Sequence, residues 1–278
     1  MHGTSRTAWK AELTLVFRRV GDRSVLAERR HEGPLVVQKP LHPEGPGVCH
    51  AVLVHAPGGI AGGDALILNL SLEPDARALI TTPAATKWYK AAGRTARQTG
   101  RFEVAKGAVL EWLPLEAIVF DQADARIASH VGLAAGAVFA GWEITCLGRR
   151  ASGEVFRSGG LNQAMEISRD GRLIWNDRIA FSGGDRLMTS SVGMAGHHVV
   201  GGMVVAGLGL LPTDLLETCR ALSPLDGQGG ITALPEIVSA RYLGGSAENA
   251  KIYFESIRQV LRPWYAALHA HRPRIWDS

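Results

Sequence analysis

Apolar and polar residues alternate with a period of two through most of this chain. In 64–74, Leu66, Leu68, Leu70 and Leu72 share one face, and Ile67, Asn69 and Ser71 share the other. That is the pattern of a strand buried on one side. Leu13, Leu15 and Phe17 repeat it in 12–20. Further short segments follow, bounded by glycine, proline or aspartate: 23–41 with a turn at Gly33–Pro34, then 48–55, 77–83, 116–124, 126–133, 141–149, 154–159 and 173–179. "TARQTGRFEV" and "AVLEWLP", on either side of Gly107, predict a hairpin, and 197–211 is one more strand interrupted by glycines. Such spacing predicts a mostly β chain, built as a sandwich, barrel or solenoid.

Helical periodicity is confined to the C-terminal third. One helix is predicted near 213–222, where Asp214 and Glu217 have the spacing of a capping box. A second is predicted near 247–270, with Ser246 as its N-cap and Tyr253, Ile257, Val260, Leu261, Trp264 and Leu268 at helical spacing. Pro263 is expected to kink it or to start another short helix. Residues 1–11 read as a frayed start. No Pro/Ser-rich linker and no repeat divides the chain, so 1–278 is expected to be one domain. One echo stands out: "GGDAL" at 62–66 and "GGDRL" at 183–187, each read as a glycine turn entering a strand.

Composition narrows the function classes. Apolar residues make up 46% and charged residues 20%, enough for a substantial core. The net charge is +4 with a pI of about 9.1, but the arginines come as scattered pairs, not as a patch. Nucleic acid is therefore not an expected partner. Three cysteines without a C-x-x-C argue for a reducing compartment. No apolar run is long enough for a membrane span, and the first ten residues lack the apolar core of a signal peptide. A soluble cytoplasmic protein is the expectation.

Two stretches concentrate polar and glycine residues. "HAPGGIAGGD" (55–64) has the first spacing of a phosphate loop, but Asp64 and Ala65 stand where a lysine and a hydroxyl residue are required. The dinucleotide fingerprint fails too, and a strand pattern follows in place of a helix. Gly58, Gly59, Gly62 and Gly63 are then backbone devices for positive φ and close packing. His55 and Asp64 flank the turn within reach of one another, either as an orienting hydrogen bond or as ligands. "TTPAATKWYKAAGRTARQ" (81–98) is a long non-strand loop, either a crossover or a binding loop. Among ten histidines none has zinc-site spacing, and no nucleophile elbow occurs.

These two stretches, followed by "LEWLPLEAIVFDQA", "GWEITCLGRRASGEVFRSG" and "RPRIW" in that order, resemble the urease accessory protein UreD (UreH) family. The resemblance runs from about residue 12 to the end. Pro57 and Leu115 depart from the family pattern, which has a small residue and often glutamine there. The resemblance implies a solenoid-like β fold with a pair of helices, and a non-enzymatic maturation factor. It implies a scaffold with UreF and the GTPase UreG, a dimer within the UreF complex, and docking on apo-urease subunits. It also implies delivery of nickel through an interior polar passage, with Ni2+ only in transit and no stable metal site. Weak oxygen ligands suit transit, because a dense His/Cys set would trap nickel. Asp64, Thr82, Lys87, Asp121, Glu143 and Asp177, with His55, are the candidate polar lining. Trp264, Tyr265 and Trp276 either cap the sheet or contact a partner. The alternatives are a metal-dependent hydrolase, resting on His55 and Asp64, or an unrelated interaction module.

Overall fold

The computed structural model describes residues 8–277, and in them the alternating segments form seventeen strands and two α-helices. The first strands are β1 (Lys10–Val20), β2 (Arg23–Glu32), β3 (Leu35–Val37), β4 (Cys49–His55), β5 (Ala65–Leu72) and β6 (Arg77–Thr81). Next come β7 (Thr86–Trp88), β8 (Ala96–Val104), β9 (Val109–Leu113), β10 (Ala117–Val119), β11 (Asp124–Leu133) and β12 (Val138–Leu147). The chain ends with β13 (Gly160–Arg169), β14 (Arg172–Ser182), β15 (Val199–Ala206), α1 (Thr213–Arg220), β16 (Gln228–Leu234), β17 (Ile237–Gly244) and α2 (Ala247–Ala266).

Two sheets face one another. From β4 to β13 the chain passes back and forth between them: β4, β6, β9 and β12 run parallel in the larger sheet, and β5, β8, β11 and β13 run parallel in the smaller. Each circuit adds one strand to each sheet, a β-solenoid-like arrangement. The predicted hairpin around Gly107 is thereby corrected. β8 lies between β5 and β11, while β9 lies between β6 and β12. Phe102 and Val104 on one strand and Leu110 and Trp112 on the other enter a single core from opposite sides, so the turn arches across it. Antiparallel strands close the ends: β2 on β1, β14 on β13, and β15, β17 and β16 beyond β12.

The larger sheet is covered on both faces. One face meets the smaller sheet, and the other carries α1, α2 and a second apolar cluster around Trp142, Tyr242 and Phe254. Strands β4, β9 and β12 are therefore nearly continuously buried, as expected for a sheet between two layers. The outer face of the smaller sheet carries the half-buried and exposed residues of β5, β8, β11 and β13, and these residues alternate with the buried ones.

Several local expectations are revised. Trp9 to Ala11 are ordered, with β1 starting at Lys10; residues 1–7 of the segment read as frayed lie outside the described residues. The stretch 154–159 is not a strand, although Phe156 is buried. The loop 81–98 contains β7, which pairs with β10, itself appended to β12. "GGDAL" does enter β5, but "GGDRL" leaves β14 and starts a 3-10 turn capped by the Asp185 side chain. Helix α1 begins at Thr213 with Pro212 as N-cap, so Asp214 sits inside the first turn and forms no capping box. Ser246 does cap α2, accepting from the Asn249 N–H at 3.2 Å. Pro263 lies within α2, which ends one turn later at Ala267 in a left-handed conformation. Among the described residues no helix is long and apolar enough to cross a membrane.

Candidate functional site

The two polar stretches fold onto each other. Ile60 donates its N–H to the Lys87 carbonyl at 2.7 Å, Tyr89 returns a bond to Ile60 at 2.8 Å, and Gly63 donates to Thr95 at 3.2 Å. Gly58 and Gly63 take φ of +73° and +92°. Gly62 is required by proximity, because a Cβ there would lie 1.8 Å from the Ala91 carbonyl oxygen. At Gly59 it would lie 2.3 Å from the Tyr89 ring. The Asp64 carboxylate accepts from the backbone N–H of Trp9 at 2.9 Å and of Ala61 at 2.8 Å. Asp64 therefore ties the turn to the start of β1. No hydrogen bond joins it to His55, whose two ring nitrogens are buried without partners among the described residues. Burial lowers the His55 pKa, and the Asp64 charge only partly offsets this, so the ring is neutral at pH 7.

Behind this turn, between the sheets, is a cavity of about 320 Å³. His55, Gly58, Gly59, Thr82, Lys87 and Glu143 are in its wall, with a largely apolar remainder that includes Trp88, Trp112 and Ala117. Four of the seven candidate lining residues thus meet in one space. Lys87 is exposed, whereas Glu143 lies deeper, between the sheets. The Thr82 hydroxyl accepts from the Leu115 N–H at 2.9 Å.

Glu143 sits in a polar cluster that bridges the two sheets. Ser129 of β11 donates to its Oε1 at 2.8 Å and the Gln163 amide of β13 to its Oε2 at 2.6 Å. Thr145 of β12 donates to the Gln163 Oε1 at 2.7 Å. Burial pushes the Glu143 carboxyl up to about 7; the bonds from Ser129 and Gln163 oppose the shift, and the nearby Asp177 charge adds to it. Glu143 and Gln163 also wall a second, smaller space of about 20 Å³, roughly one water in size, whose other side includes Asp177 and Ser239. The two spaces share this amide–carboxylate wall. Glu143 thus lines both spaces, and Asp177 lines the smaller one.

The other candidates lie elsewhere. Asp121 is not in either space; its Oδ1 accepts from the N–H groups of Arg157 and Ser158 at 2.8 and 2.9 Å. Burial raises its pKa, but the Ser158 and Arg157 bonds outweigh this and hold it below the ordinary value. Tyr265 and Trp276 are interior residues. Tyr265 donates to Glu111 at 2.7 Å, and Trp276 donates its indole N–H to the Thr81 hydroxyl at 2.8 Å. Of the three aromatics only Trp264 is partly exposed. They pack α2 and the C-terminal segment onto the larger sheet because that sheet's outer face is apolar.

Sequence reasoning missed two features. One is the buried ion cluster under α2. Glu111 of β9 accepts from Arg258 at 2.8 Å and Arg262 at 2.8 Å, and Arg262 also pairs with Glu44, which bonds His50 at 2.5 Å. Burial alone would raise the Glu111 carboxyl, yet the Arg258 and Arg262 charges hold it down at about 2. The other is the pair Ser129 and Gln163. Both stand in the buried phase of an alternating strand, after Ala125 and Ile127 in one and between Leu161 and Met165 in the other. A polar residue in an apolar phase was the available signal.

The likeness to known proteins extends over nearly the whole chain. A family model described as UreD urease accessory protein matches residues 10–277. A protein of Methylobacillus flagellatus named urease accessory protein UreD is 52% identical over 271 residues, covering 97% of this chain and 95% of its own. Proteins of the same name from Dechloromonas aromatica and Pseudomonas aeruginosa PAO1 are 46% and 45% identical, covering 98% of this chain and 95% and 96% of theirs.

Proposed function

The chain belongs to the UreD urease accessory protein family, and from that premise we propose that it is a non-enzymatic scaffold that helps load nickel into urease. In this reading it assembles with UreF and UreG, docks on apo-urease, and passes Ni2+ along the interior route. The observation that carries the proposal is the alignment of the cavity, the Glu143–Gln163 wall and the Asp177 chamber. Carboxylates, hydroxyls and an amide bind nickel weakly enough to release it, as a conduit requires. Lys87 stands at the exposed end of the cavity and Glu143 at the inner end, so the charge along the route changes from positive to negative inward. Half-ionised near neutral pH, Glu143 accepts a cation as its proton leaves. The hydrolase alternative loses its support, because Asp64 is committed to backbone N–H groups and does not bond His55.

The test separates scaffold from conduit. Ala117→Trp fills the cavity from its wall. The variant should still co-purify with UreF and urease, while nickel content and activity of the matured urease fall at least tenfold. Full activation by a variant shown to be folded refutes the conduit. Failure of the wild-type protein to recover UreF or urease refutes the scaffold.

A further inference from the structure

The small chamber beyond Glu143 has an ion pair at its outer side. Asp177 of β14 accepts from Arg241 of β17 at 2.6 Å. The Arg241 guanidinium also lies 5.9 Å from the centre of the Trp175 ring. The side chains are 42% and 23% exposed for Arg241 and Asp177, and Glu143 lies behind them. Strand register explains the placement. Glu143 on β12, Gly202 on β15 and Arg241 on β17 are cross-strand neighbours in one row. Gly202 leaves the middle of that row empty: a Cβ there would come 3.1 Å from Arg241 Nη1 and 3.5 Å from Asp177 Oδ2. The row therefore sets an interior carboxylate, a gap and a guanidinium side by side, with the Asp177 carboxylate facing the gap from the other sheet.

A carboxylate oxygen that binds a guanidinium at hydrogen-bond distance has no room for a divalent cation on the same side. Two cations sharing one partly buried carboxylate repel strongly. We propose that Arg241 is the stopper of the interior route. Its guanidinium occupies the cation seat at Asp177, and a divalent cation reaches that carboxylate only when Arg241 turns out into solvent. The inference rests on the reading of the route as a path for nickel. Arginine suits the role. Its long side chain starts from the surface, where water replaces the lost pair at little cost. The seat is then opened by something that competes for the guanidinium, and a carboxylate on a docked partner has that chemistry.

Nickel titration of the full-length protein by calorimetry tests this. Arg241→Met keeps an apolar stem beside Trp175 and removes the charge. It should bind Ni2+ at least tenfold more tightly than the wild type, and adding Asp177→Asn should abolish the gain. Equal or weaker binding by a variant that melts like the wild type overturns the proposal. If Arg241→Met does not melt cooperatively, Arg241→Gln is read by the same criterion. The route and the stopper fail separately. Should Ala117→Trp leave urease activation intact, the route falls and the titration still decides Arg241. Should Ala117→Trp stop activation while Arg241→Met binds no tighter, the stopper alone falls.

Discussion

Glu143→Gln is expected to stabilise the protein at alkaline pH and to flatten its pH dependence. In the folded chain the carboxyl titrates at about 7, against an ordinary value of 4.5. Between these values the folded state holds a proton that the unfolded state has released. Stability therefore declines as pH rises from 4.5, and the loss levels off above 7. Each pH unit across that interval is worth about 1.4 kcal/mol, so the wild type loses about 2–3 kcal/mol between pH 5 and pH 8 at this residue alone. Glutamine removes the titration and fits the hydrogen bonds. Its carbonyl oxygen accepts from Gln163 as Glu143 Oε2 does, and its amide donates to the Ser129 hydroxyl, which reverses its role. Thermal melts at pH 5, 6, 7 and 8 measure the difference between the two profiles, so other titrating groups cancel. For a chain of this size the variant should gain roughly 5–8 °C on the wild type between pH 5 and pH 8. Parallel profiles would refute the burial argument and, with it, the picture of Glu143 as a group poised between two charge states.

Glu111→Ala should cost about 3–5 kcal/mol, because it strands Arg258 in the interior and leaves Arg262 with Glu44 as its counter-charge; urea denaturation at pH 7 reads the loss. Tyr265→Phe should cost about 1–2 kcal/mol by the same assay and leave a pull-down of partners unchanged, since the buried hydroxyl donates to Glu111. Gly62→Ala should lower stability by about 2–3 kcal/mol, through backbone collision with Ala91, whereas Gly58→Ala meets open space and should cost about 1 kcal/mol for its positive φ. Comparing the two melts isolates close approach from backbone conformation.

Much of the fold was legible because its signals are local. The alternation in 64–74 placed Leu66, Leu68, Leu70 and Leu72 inside, and Ser246 announced the start of α2. What local pattern does not hold is which sheet a strand joins. β8 and β9 look like the arms of a hairpin because both alternate and a glycine separates them, but an arch between sheets has the same local sequence. The candidate lining was half legible for a similar reason. Glu143 and Asp177 are acids at strand positions that the facing of the two sheets brings together, whereas Asp64 and Asp121 are acids of the same kind whose lone pairs are taken by backbone N–H groups. Tyr265 and Trp276 appear on a helix and a terminal segment that would suit a partner, yet the larger sheet's apolar outer face claims them first. Arg241 carries no local signal; only its register with Gly202 and Glu143 marks it.

The buried ion cluster has a consequence for synthesis. Glu44 and Glu111 belong to the first half of the chain, and the guanidinium of Arg262 that joins them arrives 218 and 151 residues later. Until α2 emerges from the ribosome, the β3–β4 turn and the strand β9 that carry these carboxylates lack their counter-charges, and the larger sheet lacks a cover for its outer apolar face. The larger sheet is thus completed from the C-terminus, and a chain truncated before Ala247 should persist as an aggregation-prone intermediate. The helix that covers the larger sheet is thus the element on which the earlier strands depend for both their counter-charges and their outer cover.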